Sequence, residues 1–171
     1  MADDKLTIED KMTIKELEDK IKSMKEDKEK KCKAAKEQLI DMLEVTADKY
    51  RTATGTAEAL RVVRFVYGDD RRGIYDANNF AWKMAEVTCE MAEKAKGLPY
   101  AEMDKLCDGF YDKEFKSSNA ADLVYEMMCI DLCRNVGGAA EDMVEFIKRV
   151  QEEIDATGEE LKKLKAKKKE D

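Results

Sequence analysis

No histidine occurs among the 171 residues. That removes the side chain most used for acid–base work near neutral pH and the commonest metal ligand, so many enzyme classes lose their usual machinery. Proline occurs once and glycine eight times. Strand-rich folds need turn residues at regular spacing, and so few of them exclude an all-β architecture. Uninterrupted apolar runs extend over only a few residues, far short of the roughly 20 that cross a bilayer. No transmembrane segment is expected. The opening residues also lack the charged, apolar and small-residue pattern of a secretory leader. The five cysteines, Cys32, Cys89, Cys107, Cys129 and Cys133, are an odd set without the spacing of a disulfide framework. A cytoplasmic, reducing location follows as the expectation.

Charge is what the chain has in excess. Charged residues make up 42%, against roughly 25% in globular proteins, and the formal net charge is −7. An acidic molecule repels phosphate backbones, so any nucleic-acid contact must come from a local basic patch. High charge with little glycine or proline favours long helices, and the expected fold class is all-α: a helical bundle head whose long terminal helices form an antiparallel coiled-coil arm. The expected organisation is a flexible N-terminus over 1–12, a single all-helical domain over 13–168 and a flexible tail over 169–171. Within that domain the head covers about 40–145 and the arm combines 13–39 with 146–168.

Thr13 and Glu16 form a capping box that predicts the start of a helix reaching about Gly55. Ile14, Leu17, Ile21 and Met24 repeat at three and four, Lys28 and Lys31 interrupt the seam, and Ala35, Leu39, Met42, Leu43 and Tyr50 resume it. Between Thr56 and Tyr67 the polar groups Glu58, Arg61 and Arg64 make one narrow stripe on an apolar helix; Gly68 ends it, and 69–73 read as a charged turn. A further helix is predicted from an Asp76 N-cap to Lys96, stopped by Gly97 and Pro99. It turns Phe80, Met84, Thr88 and Met91 inward, with Trp82, Ala85, Cys89 and Ala92 on an adjacent face and Asn79, Lys83, Glu86, Glu90 and Glu93 wet. A short helix from Pro99 to Tyr111 should bury Met103, Leu106, Cys107 and Phe110. Residues 120–135 are apolar nearly all round, Gly137 and Gly138 are expected to break them off, and a last helix carries Met143, Ile147, Val150, Ile154, Thr157, Leu161 and Leu164 in heptads. Thr157 with Glu160 offers a restart after the weakening by Gly158.

The terminal segments are polarised. Residues 1–19 carry seven acids and three lysines and 20–36 eight lysines and three acids; 151–160 hold five acids and no base, and 161–171 six lysines and two acids. Opposite signs meet only if these ends run antiparallel.

Cys129 and Cys133 share a helix face and could hold zinc with Cys89 and Cys107, yet such spacing among Met and Leu is that of small core residues and not of a zinc knuckle, so no metal and no cofactor are expected. Asp131, flanked by Ile130 and Leu132, is expected to be partly buried and paired with an arginine. The lysine stretches 20–36 and 162–169 lack the interleaved aromatics that stack on single-stranded bases. Methionines at helical spacing read as core. Five of the seven arginines, Arg51, Arg61, Arg64, Arg71 and Arg72, lie within 22 residues, while the terminal segments use almost only lysine. Arginine is preferred where planar bidentate pairing matters. Arg61, Arg64, Arg71 and Arg72, with Asp69 and Asp70, are therefore the candidate partner-binding residues.

No nucleophile has a base beside it and no glycine-rich phosphate loop accompanies the arginines, so no catalytic residue is expected and the chain does not read as an enzyme. The expected function is a non-enzymatic protein-interaction module, an adaptor, scaffold or inhibitor, monomeric or homodimeric. Acidic inhibitors that phages or mobile elements direct against nucleic-acid-binding host machinery are one form of it, since an acidic surface competes for a basic groove. The alternative is a nucleic-acid-binding protein using the arginine patch and the lysine-rich ends.

Overall fold

The computed structural model describes residues 8–52, 72–110 and 120–170, with side chains over 13–52, 81–110 and 129–167. Helix α1 spans Ile8–Arg51, α2 spans Arg72–Gly97, a 3-10 helix spans Tyr100–Lys105 and α3 spans Ala120–Glu170. Among the described residues there is no strand, and the chain is all-α. No helix among them is long and apolar enough to cross a membrane.

Several helix ends differ from those read in the sequence. α1 begins at Ile8 and not at Thr13; no glycine or proline stands upstream to stop the helix extending past its apparent capping box. α2 begins at Arg72, so Asp76 lies inside the helix and is not its N-cap. The short helix expected from Pro99 to Tyr111 is a 3-10 helix over Tyr100–Lys105. Met103 within it and Leu106 at its C-cap are both fully buried. Gly109 then turns the chain at φ +82°, a conformation open to glycine without steric penalty.

The largest correction lies in α3, which runs unbroken through Gly137 and Gly138 for 51 residues. Two helical glycines cost about 1 kcal/mol each relative to alanine. That is less than the burial on either side of them, where Cys129, Cys133, Val136, Ala140 and Met143 form a continuous seam. No restart occurs at Thr157 either. Its hydroxyl donates to the Glu153 carbonyl one turn back at 2.8 Å, which satisfies a largely buried polar side chain without interrupting the helix.

The chain divides into two compact units, one of Met1–Ala34 with Glu145–Asp171 and the other of Ala35–Val144. In the first, Ile14, Leu17, Ile21, Met24 and Lys28 are half-buried, and Cys32 is only 2% exposed. From α3 come half-buried Ile147, Val150, Leu161 and Leu164 and buried Ile154 and Thr157. Lys165 Nζ donates to Glu18 Oε1 at 2.5 Å and Lys28 Nζ to Gln151 Oε1 at 2.8 Å. Lys31 Nζ stands 5.6 Å from the Phe146 ring centroid. Pairing of 18 with 165, 28 with 151 and 31 with 146 means that the two segments run in opposite directions. Lys28 thus belongs to the seam it was expected to interrupt, its aliphatic stem half-buried and its ammonium hydrogen-bonded, whereas Ala35 is exposed.

In the second unit the core is drawn from every element. α1 supplies Leu39, Leu43 and Ala47; α2 supplies Met84, Val87 and Met91 among small alanines; Cys107 joins Met103 and Leu106; and α3 supplies Cys129, Cys133, Val136, Ala140 and Met143. The fully buried Thr88 hydroxyl donates to the Met84 carbonyl at 2.6 Å, and among the described residues no buried side-chain nitrogen or oxygen lacks a hydrogen bond. Two lysines clamp the segment that follows α2. Lys36 Nζ donates to the carbonyls of Lys96 and Leu98 at 2.9 and 2.7 Å, placing a cation on the orphan carbonyls at the negative end of the helix. Lys94 Nζ likewise donates to the carbonyls of Lys105 and Asp108.

Candidate functional site

Of the residues expected to bind a partner, Arg61, Arg64, Asp69, Asp70 and Arg71 lie outside the described residues. Arg72 opens α2, and its side chain lies outside them as well. Arg51 is the member of the arginine cluster whose side chain is described. At the last position of α1 its guanidinium approaches Asp48 Oδ1 at 3.5 Å through Nη1 and donates through Nη2 to Cys89 Sγ at 3.0 Å.

That contact lies in an open groove of about 650 Å³ lined by Arg51, Trp82, Ala85, Glu86, Cys89, Glu90 and Glu93. Trp82, Glu86, Glu90 and Glu93 succeed one another at four, four and three residues, so they form one stripe along α2. Ala85 is buried and Cys89 half-buried. At the end of the stripe Lys96 Nζ donates to Glu93 Oε1 at 2.7 Å and pairs with Glu44 Oε1 at 2.8 Å; these two hydrogen bonds hold its ammonium protonated well beyond the usual lysine range. Glu86 and Glu90 take no ion pair with any described residue.

Trp82, expected with Ala85, Cys89 and Ala92 on the face adjacent to that of Met84 and Met91, is 68% exposed. A large aromatic ring left in water is an informative exception, because such rings contribute most to cores and interfaces. The sequence carried a signal for it: Trp82 stands four residues before Glu86 and eight before Glu90, on the same stripe as the wet side of α2. Assigning it by its apolarity concealed that periodicity. The sequence pointed to Cys89 as a possible zinc ligand and to Glu86 and Glu90 as part of the wet side of α2, with nothing to join them to Trp82.

Asp131 and the buried cysteines do not line this groove. Asp131 is exposed, not partly buried, with its side chain 71% accessible, and it pairs at 3.6 Å with Arg134 one turn along. Position in a long amphipathic helix outweighs two apolar neighbours in sequence, since adjacent residues point about 100° apart. Burial pushes the thiol of Cys133 up to about 12 and raises those of Cys107 and Cys32 above their ordinary value, which leaves these three neutral and poor as nucleophiles. No three of Cys, Asp and Glu converge as a metal-binding group among the described residues. The groove thus presents an exposed indole, the carboxylates of Glu86, Glu90 and Glu93 and the Arg51 guanidinium. Comparison with models of protein families, with curated proteins and with solved structures finds no match to this chain.

Proposed function

We propose that the chain is a non-enzymatic protein-interaction module, an adaptor, scaffold or inhibitor that occupies a surface of another macromolecule. The observation that carries this reading is the exposure of Trp82 within the groove of Ala35–Val144. Tryptophan is enriched among residues that dominate binding energy, and a half-open groove beside it is a surface on which a partner side chain is desolvated. In this reading Arg61, Arg64, Arg71 and Arg72, with Asp69 and Asp70, extend the contact surface of the head bundle. The chain ends act as an antiparallel coiled coil, a role supported by the 18–165 and 28–151 hydrogen bonds. An acidic inhibitor of nucleic-acid-binding host machinery remains one form of the module, consistent with the net charge of −7.

Direct nucleic-acid binding through the arginine patch and lysine-rich ends is less well supported. The groove sets three carboxylates against one guanidinium. Lys28, Lys36 and Lys165 are already engaged within the chain.

Affinity capture from source lysate with and without nuclease tests the proposal, using the whole chain and its Trp82→Ala variant. The expected result is a protein that survives nuclease treatment and is lost, or weakened tenfold or more, with the variant. Capture abolished by nuclease, or unaffected by Trp82→Ala, would remove the groove as the interaction site.

A further inference from the structure

We infer that the occupant of the groove is an amphipathic helix of a partner protein carrying lysine or arginine four residues apart, with an apolar or cationic side chain laid on the Trp82 ring. This rests on the interaction reading above and adds the chemistry of the partner.

Glu93 is committed to Lys96, but Glu86 and Glu90 take no ion pair with any described residue and stand one helical turn apart beside an exposed indole. An incoming polyanion would meet three carboxylates. An incoming cation finds two that take no ion pair with any described residue and, at the Trp82 face, a ring whose quadrupole attracts ammonium and guanidinium groups. A partner helix laid along α2 repeats its own side chains with the same rise per turn, so cations at i and i+4 keep register with Glu86 and Glu90. Arg51, tied to Asp48 and Cys89, bounds the groove and admits an acidic or neutral side chain on the far edge of that helix. The electrostatic pairs would set on-rate and orientation while burial of the indole holds the complex.

Trp82 is the only tryptophan in the chain, so intrinsic fluorescence reports groove occupancy directly. The probe is a synthetic amphipathic helix with lysines at i and i+4, compared with a peptide of the same pattern bearing glutamates and with single-stranded DNA. The expected result for the full chain is a saturable blue shift with the lysine peptide alone, weakening as salt rises. Glu86→Gln with Glu90→Gln should lower that affinity at least tenfold, and Glu86→Lys with Glu90→Lys should transfer the preference to the glutamate peptide. Both pairs are exposed, so helical circular dichroism should be unchanged; the salt dependence of the unmodified chain needs no variant at all. A missing shift at millimolar lysine peptide, equal response to the glutamate peptide or DNA, or unchanged affinity in the double glutamine variant would overturn the inference. A lysate partner lost with Trp82→Ala but indifferent to the glutamine pair would overturn the basic-helix chemistry and leave the interaction module standing. A partner indifferent to both would remove both.

Discussion

The thiol of Cys107 donates to the main-chain carbonyl of Cys133 at 3.4 Å, joining the turn after the 3-10 helix to α3. Both thiols are buried, and burial raises Cys133 to about 12 from an ordinary value of 9.0. The folded-state value lies above the unfolded one, so between the two the unfolded chain holds fewer protons and stability falls as pH rises. The contribution is complete below about pH 9 and lost on the way to about pH 12. Urea unfolding across that window should show a decline that is shallower in Cys133→Ala; an identical slope would mean that this thiol does not contribute.

The same burial sorts the five cysteines by reactivity. Cys89 is half-exposed, while Cys32, Cys107, Cys129 and Cys133 are buried. A native-state titration with an aromatic disulfide reagent should label Cys89 rapidly and the other four only on unfolding, because the reactive thiolate is disfavoured where water is excluded. Rapid native labelling of Cys129 or Cys133 would contradict the packing described here.

Gly138 and Gly158 sit inside α3 with nothing within 4 Å of where a Cβ would stand, and at Gly137 the nearest atom is Cys107 Sγ at 3.7 Å, an ordinary contact. Gly138→Ala and Gly158→Ala should therefore each raise stability by about 0.5–1 kcal/mol, through lower unfolded-state entropy and better helix propensity. Denaturant midpoints measure this. If the glycine pair were instead a break between two helices, Gly138→Ala would be neutral or destabilising.

The hydrogen bond between Lys165 and Glu18 joins the two terminal segments of the unit that contains them. Spin labels at positions 14 and 164 should lie closer than about 30 Å, the length of a 20-residue helix. A longer mean distance in dilute solution would show that these segments do not pair within one molecule.

Leu43 and Trp82 should respond in opposite ways to truncation. Leu43 is fully buried, and Leu43→Ala should cost about 2–5 kcal/mol through lost transfer energy and the cavity left behind. Trp82→Ala should change stability by about 0.5 kcal/mol or less, as at other exposed positions. Comparable losses at the two sites would place Trp82 in the core and not in a groove.

Much of this molecule follows from the sequence by periodicity alone. Scarce glycine and proline, and apolar residues spaced at three and four, determine helices without strands. The row Met143, Ile147, Val150, Ile154, Thr157, Leu161 and Leu164 marks the inward face of α3, because residues recurring at three and four lie on one face of a helix. Burial of Met84, Thr88 and Met91, and termination of α2 at Gly97, follow in the same way.

The tertiary structure decided what local signals could not rank. A capping box at Thr13, an N-cap at Asp76 and each glycine at 137 and 138 are worth about 1 kcal/mol apiece, and helix continuity outweighs them, at the glycine pair through the buried seam on either side. Which lysines are solvated and which clamp carbonyls, as Lys36 and Lys94 do, depends on residues about 60 and 11 positions away. The exposure of Trp82 depends likewise on where α1 ends and which stripe of α2 is left uncovered. Periodicity is a property of one helix; burial belongs to the helices that meet it, and that is why the core was legible in the sequence and the groove was not.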